Sequence, residues 1–416
     1  MLSIPNRNRL SWYVSIALVL VCCSLVSSPV HALAAAALIG SEGKQTLADN
    51  EAGPAGQKIG GQQVVELKRK ASSSPQGPEF TSVTILPGRG MNLFQITANL
   101  PGKGEVKVLA SPSLEEANRQ FNGGPDDVHG VKSFTVGGAF LVPYPNRIRG
   151  KLSPDGKNIT TIWNGKTLTL PAVWKGKAHP NAELHAIHGL ILDRKTNSVK
   201  VKTTPDGQTV TGMIHAEDFG GYWPSKTDLI ISIALTGKTV EATITAKNVG
   251  GEAEPMSIGW HPYFAIPSGD RTQARLHIPA LKLAEVNNYD DVFPTGKLPS
   301  VSGTKYDFSS PAGKPLGNIF LDDNFSGLSR TSKAVVVDLT DPASAYGIHI
   351  EGLSPEIRTL QVYAPPDKAF AVVEDQFNFA DPFSDVWKGM DTGMVTLQPN
   401  QAVTWKVRLE LFTPGQ

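Results

Sequence analysis

The sequence TTIWNGKTLTL, residues 160–170, carries the strongest fold signal in the chain. Two runs rich in threonine and apolar residues flank the pair Asn164-Gly165. Asn-Gly readily adopts the positive φ angles of a type I′ turn, which joins two antiparallel strands through a loop of only two residues. The stretch therefore predicts a β-hairpin.

Further turns and strand-like runs extend from this hairpin in both directions. Pro154-Asp155-Gly156 and Pro205-Asp206-Gly207 have turn chemistry, whereas the clearest helical signal is a capping box, Ser113-Leu114-Glu115-Glu116. Many antiparallel strands with little helix predict an all-β fold, a large antiparallel β-sandwich of two packed sheets. The strand candidates are residues 82–86, 198–204, 229–235, 240–248, 334–338, 369–374 and 402–411.

The composition favours a folded protein without a nucleic-acid partner. The 416 residues include 39 Lys plus Arg and 38 Asp plus Glu, a formal charge of +1, so we expect no basic surface for nucleic acid. Hydrophobic residues make up 40% and charged residues 19%, which excludes disorder of the whole chain. The 40 glycines and 31 prolines agree with a fold rich in tight turns.

The N-terminal residues 1–32 have the features of a secretory signal peptide. Arg7 and Arg9 precede an apolar stretch, residues 12–26, and Val30-His31-Ala32 fits a cleavage site. We expect export, to the periplasm or as a secreted protein, with no stable membrane association after cleavage. An uncleaved membrane anchor is the alternative, because the apolar stretch is close to the lower length limit for a spanning helix.

Both cysteines of the chain, Cys22 and Cys23, lie inside this signal segment. Cleavage would leave no cysteine, which excludes a disulfide, a thiol nucleophile and a cysteine-ligated metal in the mature protein. Residues 33–78 are rich in Ala, Gly and Ser and predict a flexible leader or linker. Residues 79–416 show no convincing linker, and we expect them to form one β-sandwich domain.

Five short segments place charged or titratable side chains among apolar or aromatic residues. Each segment alone also fits a purely structural role. His185 and His188 are three apart in a strand-like run, where such positions face opposite sides, so we expect no metal shared between them. The segments are Asn146-Arg147-Ile148-Arg149-Gly150, His188-Gly189, Gly259-Trp260-His261-Pro262-Tyr263-Phe264, Asp322-Asp323-Asn324-Phe325 and Val373-Glu374-Asp375-Gln376.

The order and approximate spacing of these segments resemble the aldose 1-epimerase (galactose mutarotase) family, over essentially all of residues 79–416. The resemblance implies a β-sandwich of the galactose mutarotase-like, or supersandwich, type with an open sugar cleft across one sheet. It also implies an isomerase that needs no cofactor or metal and interconverts the α and β anomers of a free monosaccharide, an aldohexose. The preferred aldose and the oligomeric state stay open.

The resemblance assigns catalytic roles to three of these residues. Glu374 matches the catalytic base, His261 the catalytic acid, and His188 a second active-site histidine near the ring oxygen. These residue types suit the reaction, because a carboxylate can remove the proton of the anomeric hydroxyl while an imidazolium donates one to the ring oxygen.

Substrate-binding roles follow from the same resemblance. Asn146 and Arg147 match a substrate-binding pair, and Asp322 matches an acidic residue that binds sugar hydroxyls. Asp322 is preferred to Asp323 because the family pattern places its aspartate three residues before the phenylalanine, here Phe325.

Two other functions are compatible with the sequence. A hexose-6-phosphate 1-epimerase would share the His-Gly and His-Pro-Tyr-Phe segments, but such proteins often continue His-Gly with Phe-Ala-Arg. Here Leu190-Ile191-Leu192 supplies no phosphate-binding arginine, although Arg194 is near. A non-catalytic carbohydrate-binding module of a secreted system would use the same aromatic cleft, and only turnover separates binding from catalysis on one fold.

Overall fold

The computed structural model describes residues 56–72, 76–176 and 180–415. The predicted signal peptide, residues 1–32, and residues 33–55 of the predicted leader lie outside the described residues. Within the described ranges, no helix is both long enough and apolar enough to span a membrane.

Strands dominate the described residues, which contain one short α-helix, α1 (Leu114–Gln120). The predicted capping box begins this helix, since the Ser113 side chain accepts a hydrogen bond from the Glu116 N–H at 3.1 Å. The 3-10 helices are Pro87–Arg89, Val128–Phe134, Pro342–Ser344 and Asp385–Trp387. The strands are β1 (Lys58–Ile59), β2 (Gln62–Gln63), β3 (Val65–Lys68), β4 (Glu79–Leu86), β5 (Asn92–Leu100), β6 (Gly104–Lys107), β7 (Gly138–Leu141), β8 (Arg147–Ile148), β9 (Lys151–Leu152), β10 (Asn158–Trp163), β11 (Lys166–Pro171), β12 (Ala186–Ile187), β13 (Ser198–Thr204), β14 (Gly207–Glu217), β15 (Thr227–Thr236), β16 (Thr239–Asn248), β17 (Glu254–Met256), β18 (Gly259–Ala265), β19 (Arg275–His277), β20 (Ala280–Ala284), β21 (Lys314–Pro315), β22 (Leu321–Leu328), β23 (Val335–Asp341), β24 (Tyr346–Gly352), β25 (Thr359–Ala364), β26 (Phe370–Gln376), β27 (Val395–Leu397) and β28 (Ala402–Phe412).

The hairpin predicted at residues 160–170 is confirmed. Strand β10 pairs antiparallel with β11, and Trp163 lies opposite Lys166, so only Asn164 and Gly165 remain in the loop. Their φ angles are 47° and 76°, the positive values that a type I′ turn requires. Each of the other strand candidates also overlaps an observed strand.

The strands form two large sheets, which confirms the predicted antiparallel all-β architecture. The nine-stranded sheet has the order β13-β14-β15-β16-β28-β24-β23-β19-β21, and the six-stranded sheet has the order β20-β22-β25-β26-β18-β7. A single cluster of buried apolar side chains joins them. Trp405 of the first sheet donates its indole N–H to the carbonyl of Asp375 in the second sheet at 2.9 Å.

The central strands of the six-stranded sheet are buried on both faces. In β26 every residue from Ala371 to Gln376 is buried, whereas β15 of the other sheet alternates between buried and more exposed positions. Alternation is typical of a sheet with one face in water, and continuous burial is typical of a sheet covered on both faces. One face of the six-stranded sheet packs on the core, and its other face carries the site described below.

Ordered structure begins well before the predicted domain boundary at residue 79, which corrects the end of the predicted leader. Strand β3 pairs with β4 in a four-stranded sheet of order β3-β4-β5-β6, and Ile59 and Leu67 are fully buried. Gly60 is required for a close approach, because a Cβ there would lie 2.1 Å from the carbonyl oxygen of Gly88. The average composition of residues 33–78 predicts a flexible segment, but it does not show the few apolar side chains, such as Ile59 and Leu67, that the fold buries.

Candidate active site

Adjacent strands of the six-stranded sheet bring the predicted residues to one face. Gln361 of β25 lies opposite Glu374 of β26, and Asp322 of β22 lies opposite Tyr363 of β25. Gln361 and Tyr363 are two residues apart, and therefore these opposed pairs share one face of the sheet. His261 on β18, which pairs with β26, extends the row to a fourth strand.

Glu374 and His261 form a buried acid–base pair. Nε2 of His261 lies 3.4 Å from Oε1 of Glu374. The side chains are almost inaccessible, with relative exposures of 5% for His261 and 1% for Glu374. Removal from water strengthens electrostatic interactions between such groups and penalises their charged forms.

Burial shifts the proton affinity of both members of this pair. Desolvation raises the pKa of Glu374 well above its usual 4.5, although a hydrogen bond from Gln376 acts in the opposite direction. Desolvation also lowers the pKa of His261 to about 3, and the positive charge of Arg147 contributes to that lowering. Burial therefore favours a proton on the carboxyl group of Glu374 over one on the imidazole of His261.

His188 is fixed next to this pair by the backbone of Asn146. The Asn146 N–H donates to Nδ1 of His188 at 3.2 Å, and the His188 N–H donates to the Asn146 carbonyl at 2.9 Å. Because Nδ1 accepts a hydrogen bond, the neutral ring carries its hydrogen on Nε2. Desolvation, followed by the charge of nearby His261, holds the pKa of His188 well below its usual 6.5. Its ring lies 4.8 Å from the ring of His261, centroid to centroid.

A closed hydrogen-bond network holds the predicted substrate-binding residues. Nη2 of Arg147 donates to Oδ2 of Asp322 at 3.1 Å, and Nε2 of Gln361 donates to Oδ1 of the same carboxylate at 2.7 Å. Asn146 closes the network, because its Nδ2 donates to Gln361 at 2.9 Å and its Oδ1 accepts from Nη1 of Arg147 at 3.2 Å. Both oxygens of Asp322 are thus occupied, which fixes the orientation of its carboxylate.

Sequence reasoning missed two glutamines of this site. Gln361 connects Asn146 to Asp322, and Nε2 of Gln376 donates to Oε2 of Glu374 at 2.7 Å, which leaves Oε1 to face His261. The sequence could have indicated Gln376, because it lies two residues after Glu374 in the same strand and residues two apart in a strand share a face. Gln361 had no such signal, since its place depends on the pairing of β25 with its neighbours.

The residues line a cleft of about 480 Å³. Arg147, His188, His261, Asp322 and Glu374 line it directly, whereas Asn146 is fully buried behind it. Aromatic side chains supply much of the remaining wall, namely Phe134, Trp174, Tyr263, Tyr289, Phe320 and Tyr363. A lining that combines polar groups with aromatic rings suits a sugar, which presents hydroxyls at its edge and C–H groups on its faces.

Asp323 has a different position from its neighbour Asp322. Its carboxylate accepts a hydrogen bond from the Tyr289 hydroxyl at 2.8 Å, and it does not line the cleft. Burial raises the pKa of Asp323 to about 6. The choice of Asp322 over Asp323 as the cleft residue thus agrees with the geometry.

Two imidazoles and a carboxylate in the cleft could also hold a metal ion. One potential ligand atom each from His188, His261 and Glu374 lies within 4.8 Å of the others. Two histidines with a carboxylate are a donor set that Zn²⁺ accepts. His185, the other histidine of the His185 and His188 pair in the sequence, is not part of this cluster. Its ring packs against Phe293, with ring centroids 5.0 Å apart.

Arg194, the arginine nearest to the His-Gly segment in the sequence, does not line the cleft. It lines a separate cavity together with His215 and Phe219. The cations of the cleft are Arg147, which is paired with Asp322, and the exposed Lys175.

Comparison with known proteins shows the family to which this chain belongs. Residues 108–410 match the sequence model of the aldose 1-epimerase family. The chain therefore belongs to the aldose 1-epimerase family. Among curated proteins, the uncharacterized protein YphB of Escherichia coli K12 is 24% identical over 220 residues, which cover 50% of this chain and 64% of YphB. The matched part is thus less than two thirds of that relative.

Solved structures share the fold. A galactose mutarotase-like protein from Clostridium acetobutylicum is 22% identical with a TM-score of 0.63, covering 80% of this chain and 92% of its own. A GalM/aldose epimerase homologue from C. elegans is 18% identical with a TM-score of 0.60, covering 84% and 98%. Galactose 1-epimerase from Lactobacillus acidophilus is 16% identical with a TM-score of 0.57, covering 84% and 99%. These likenesses bear out the mutarotase-like β-sandwich.

Proposed function

We propose that the protein is an aldose 1-epimerase that interconverts the α and β anomers of a free hexose. The observation that carries the proposal is the buried pair of Glu374 and His261, 3.4 Å apart, in a cleft of about 480 Å³. A carboxyl group and an imidazole at this separation are within reach of the anomeric hydroxyl and the ring oxygen of one sugar. A site that only binds sugar gains nothing from burying such a pair, since burial of ionisable groups costs free energy.

Ring opening transfers two protons and breaks one C–O bond. Glu374 as carboxylate takes the proton of the anomeric hydroxyl, and His261 as imidazolium gives a proton to the ring oxygen. The bond between C1 and the ring oxygen breaks, which leaves an aldehyde. Rotation about the bond from C1 to C2 presents the other carbonyl face, and reversal of both proton transfers closes the ring as the other anomer.

The cycle uses a single proton on the catalytic pair, which His261 and Glu374 hold in turn. Two forms of the pair hold one proton. In the first form His261 is an imidazolium and Glu374 a carboxylate, and in the second form His261 is neutral and Glu374 is protonated. Burial favours the second form, with the proton on Glu374. That form accompanies the open-chain sugar, whereas ring opening starts from the carboxylate–imidazolium form, and the hydrogen bond from Gln376 lowers the cost of this reactive form by stabilising the carboxylate of Glu374.

Other cleft residues would orient the sugar in this proposal. Arg147 and Asp322, which bond each other directly while Gln361 holds the second oxygen of Asp322, would hold hydroxyls away from the reacting carbon, so that only the anomeric centre moves. His188, with its hydrogen on Nε2, would donate a hydrogen bond near the ring oxygen. Preorganised donors of this kind act without reorganisation during the reaction.

Export remains part of the proposal. The features of residues 1–32 support a cleaved signal and a periplasmic or secreted enzyme. N-terminal sequencing of the mature protein tests this: a start near Leu33 supports cleavage, and a start at Met1 contradicts it.

Polarimetry of freshly dissolved α-glucose and α-galactose tests the activity. We expect the purified protein to accelerate relaxation to the same final rotation that the uncatalysed sugar reaches. Sugar binding without acceleration would favour the carbohydrate-binding module instead. A strict requirement for a 6-phosphate would favour the hexose-6-phosphate epimerase, against which the position of Arg194 outside the cleft already argues.

A further inference from the structure

The cleft continues into a longer depression on the protein surface. A second cavity of about 840 Å³ shares Thr135, Trp174 and Lys175 with the cleft. A third cavity, of about 480 Å³, shares His129 and Tyr222 with the second. Shared lining residues make the three cavities neighbours in a row, and the second and third together are called the outer groove below.

A free hexose would leave the outer groove unfilled. The cleft alone, at about 480 Å³, already falls in the range of roughly 300–1,000 Å³ typical of small-molecule sites. The second cavity by itself is larger than the cleft. The space beside the catalytic pair is therefore sufficient for a substrate that extends beyond one ring.

Aromatic rings lie at both junctions of the row. Trp174, half-buried, lies between the cleft and the second cavity, with its ring 5.1 Å from that of Phe134. Tyr222 lies at the junction of the second and third cavities, held edge-on against His129 with centroids 5.7 Å apart. Aromatic faces offer flat apolar contact to the C–H faces of sugar rings.

The outer groove is also positively charged, although the whole chain carries only +1. Asp126 and Asp193 are its lining carboxylates. Its lining cations are Lys132, Lys157, Lys175, Arg194 and Lys195. Carboxylates of the catalytic site, by contrast, lie in the cleft. This distribution of charge favours a ligand that carries anionic groups beyond its reacting ring.

We propose that the substrate is the reducing end of an acidic oligosaccharide containing uronic acid residues. Its terminal aldose would occupy the cleft, and its following rings would lie in the outer groove, with Trp174 and Tyr222 as stacking surfaces and Lys132 and Arg194 facing carboxylates. Ring opening needs only a free anomeric hydroxyl, so a chain attached elsewhere on the terminal ring does not block the chemistry. This inference rests on the proposed aldose 1-epimerase activity.

Exchange NMR at anomeric equilibrium tests the inference with the purified full-length protein. Interconversion of the reducing-end anomers is compared for galacturonate, trigalacturonate, glucose and maltotriose. We expect kcat/KM for trigalacturonate to exceed that for galacturonate by about tenfold, a factor that one or two added contacts supply, and maltotriose to gain less over glucose.

Variants of the outer groove separate its role from that of the cleft. Tyr222→Ala and the double variant Lys132→Gln with Arg194→Gln should remove the advantage of trigalacturonate and leave galacturonate turnover unchanged. The matched control is Lys200→Gln with Lys202→Gln, which removes the same charge from exposed positions of β13. Thermal unfolding followed by circular dichroism confirms that each variant is folded.

The possible outcomes differ in what they overturn. Equal or slower turnover of trigalacturonate relative to galacturonate would overturn the extended substrate and leave the epimerase proposal intact. An equal gain for maltotriose and trigalacturonate would overturn the acidic chemistry. Failure to interconvert any of the four sugars, together with failure to accelerate the relaxation of α-galactose, would overturn the epimerase proposal and this inference together.

Discussion

Asn146 and His188 hold each other through reciprocal hydrogen bonds, 3.2 Å from the Asn146 N–H to Nδ1 of His188 and 2.9 Å from the His188 N–H to the Asn146 carbonyl. Both residues have positive φ angles, 63° and 57°. Left-handed backbone costs roughly 1–2 kcal/mol for a residue other than glycine. The fold therefore retains two unfavourable backbone conformations where the hydrogen bonds between Asn146 and His188 fix the imidazole of His188 in the cleft.

Asn146 variants separate its backbone role from its side-chain role. Asn146→Gly and Asn146→Ala both remove the hydrogen bonds to Gln361 and Arg147, but only glycine adopts the positive φ without penalty. We expect the alanine variant to have a free energy of unfolding about 1 kcal/mol lower than the glycine variant. Both should raise KM more than they lower kcat. Urea unfolding and polarimetry measure these quantities, and equal stability of the two variants would contradict the argument.

Gln376→Leu tests the hydrogen bond that orients the carboxylate of Glu374. Loss of this bond frees Oε2 and raises the pKa of Glu374 further, since the bond lowers it. We expect kcat to fall by about tenfold or more, the effect of a hydrogen bond to a charged group. Gln95→Leu is the matched control, because Gln95 is a buried glutamine of β5 that does not line the cleft. An equal loss of kcat in the control would refute a specific role.

The pH dependence of kcat/KM should follow the fraction of protein in which Glu374 and His261 together hold one proton. The pair gains a second proton only near the lowered pKa of His261, about 3, and loses its proton above the raised pKa of Glu374. After subtraction of the uncatalysed rate, we expect kcat/KM to fall on the acidic side only near the pKa of His261, about 3, and to fall on the alkaline side above the raised pKa of Glu374. An acidic limb between pH 5 and 7 would contradict this assignment.

Metal ions should inhibit the reaction rather than support it. The proposed mechanism uses no metal, so treatment with a chelator should leave kcat unchanged. Added Zn²⁺ should inhibit, because the ligand atoms of His188, His261 and Glu374 lie within 4.8 Å of one another. His188→Gln should weaken that inhibition. Loss of activity on chelation, restored by Zn²⁺, would show that the cluster is a catalytic metal site.

Local sequence patterns predict much of the fold. The Asn164-Gly165 turn follows from two adjacent residues, and the strand that carries Glu374 follows from a short apolar run. The early strands β1 to β3 could not be predicted in this way. Strand β3 pairs with β4, β1 and β2 pair with each other, and Gly60 between them lies close to Gly88, and no local pattern reveals these contacts.

The candidate site is predictable only in part for the same reason. Glu374, His261 and Asp322 stand out because each is a charged or titratable group within an apolar or aromatic stretch. Gln361 is an ordinary residue in its own strand, and it becomes important only because β25 lies between the strands of Glu374 and Asp322. The approach of His188 to this sheet also requires the tertiary fold.

The central claim is that Glu374 is the acid–base residue of an aldose epimerase. Glu374→Gln preserves shape and hydrogen-bonding capacity while removing the titratable proton. The matched control is Asp375→Asn, one residue further along β26, whose carboxylate lies off the cleft in the core and whose pKa burial raises to about 8. Successive residues of a strand point to opposite faces, so the control leaves the cleft intact.

Polarimetric relaxation of α-glucose and α-galactose is the most direct measurement, made with the wild-type protein, Glu374→Gln, His261→Asn and Asp375→Asn at equal concentrations. The account predicts that the wild-type protein and Asp375→Asn accelerate relaxation, whereas Glu374→Gln and His261→Asn lose about 10²-fold or more of the catalysed rate while remaining folded. Turnover close to that of the wild-type protein in folded Glu374→Gln and His261→Asn would contradict it.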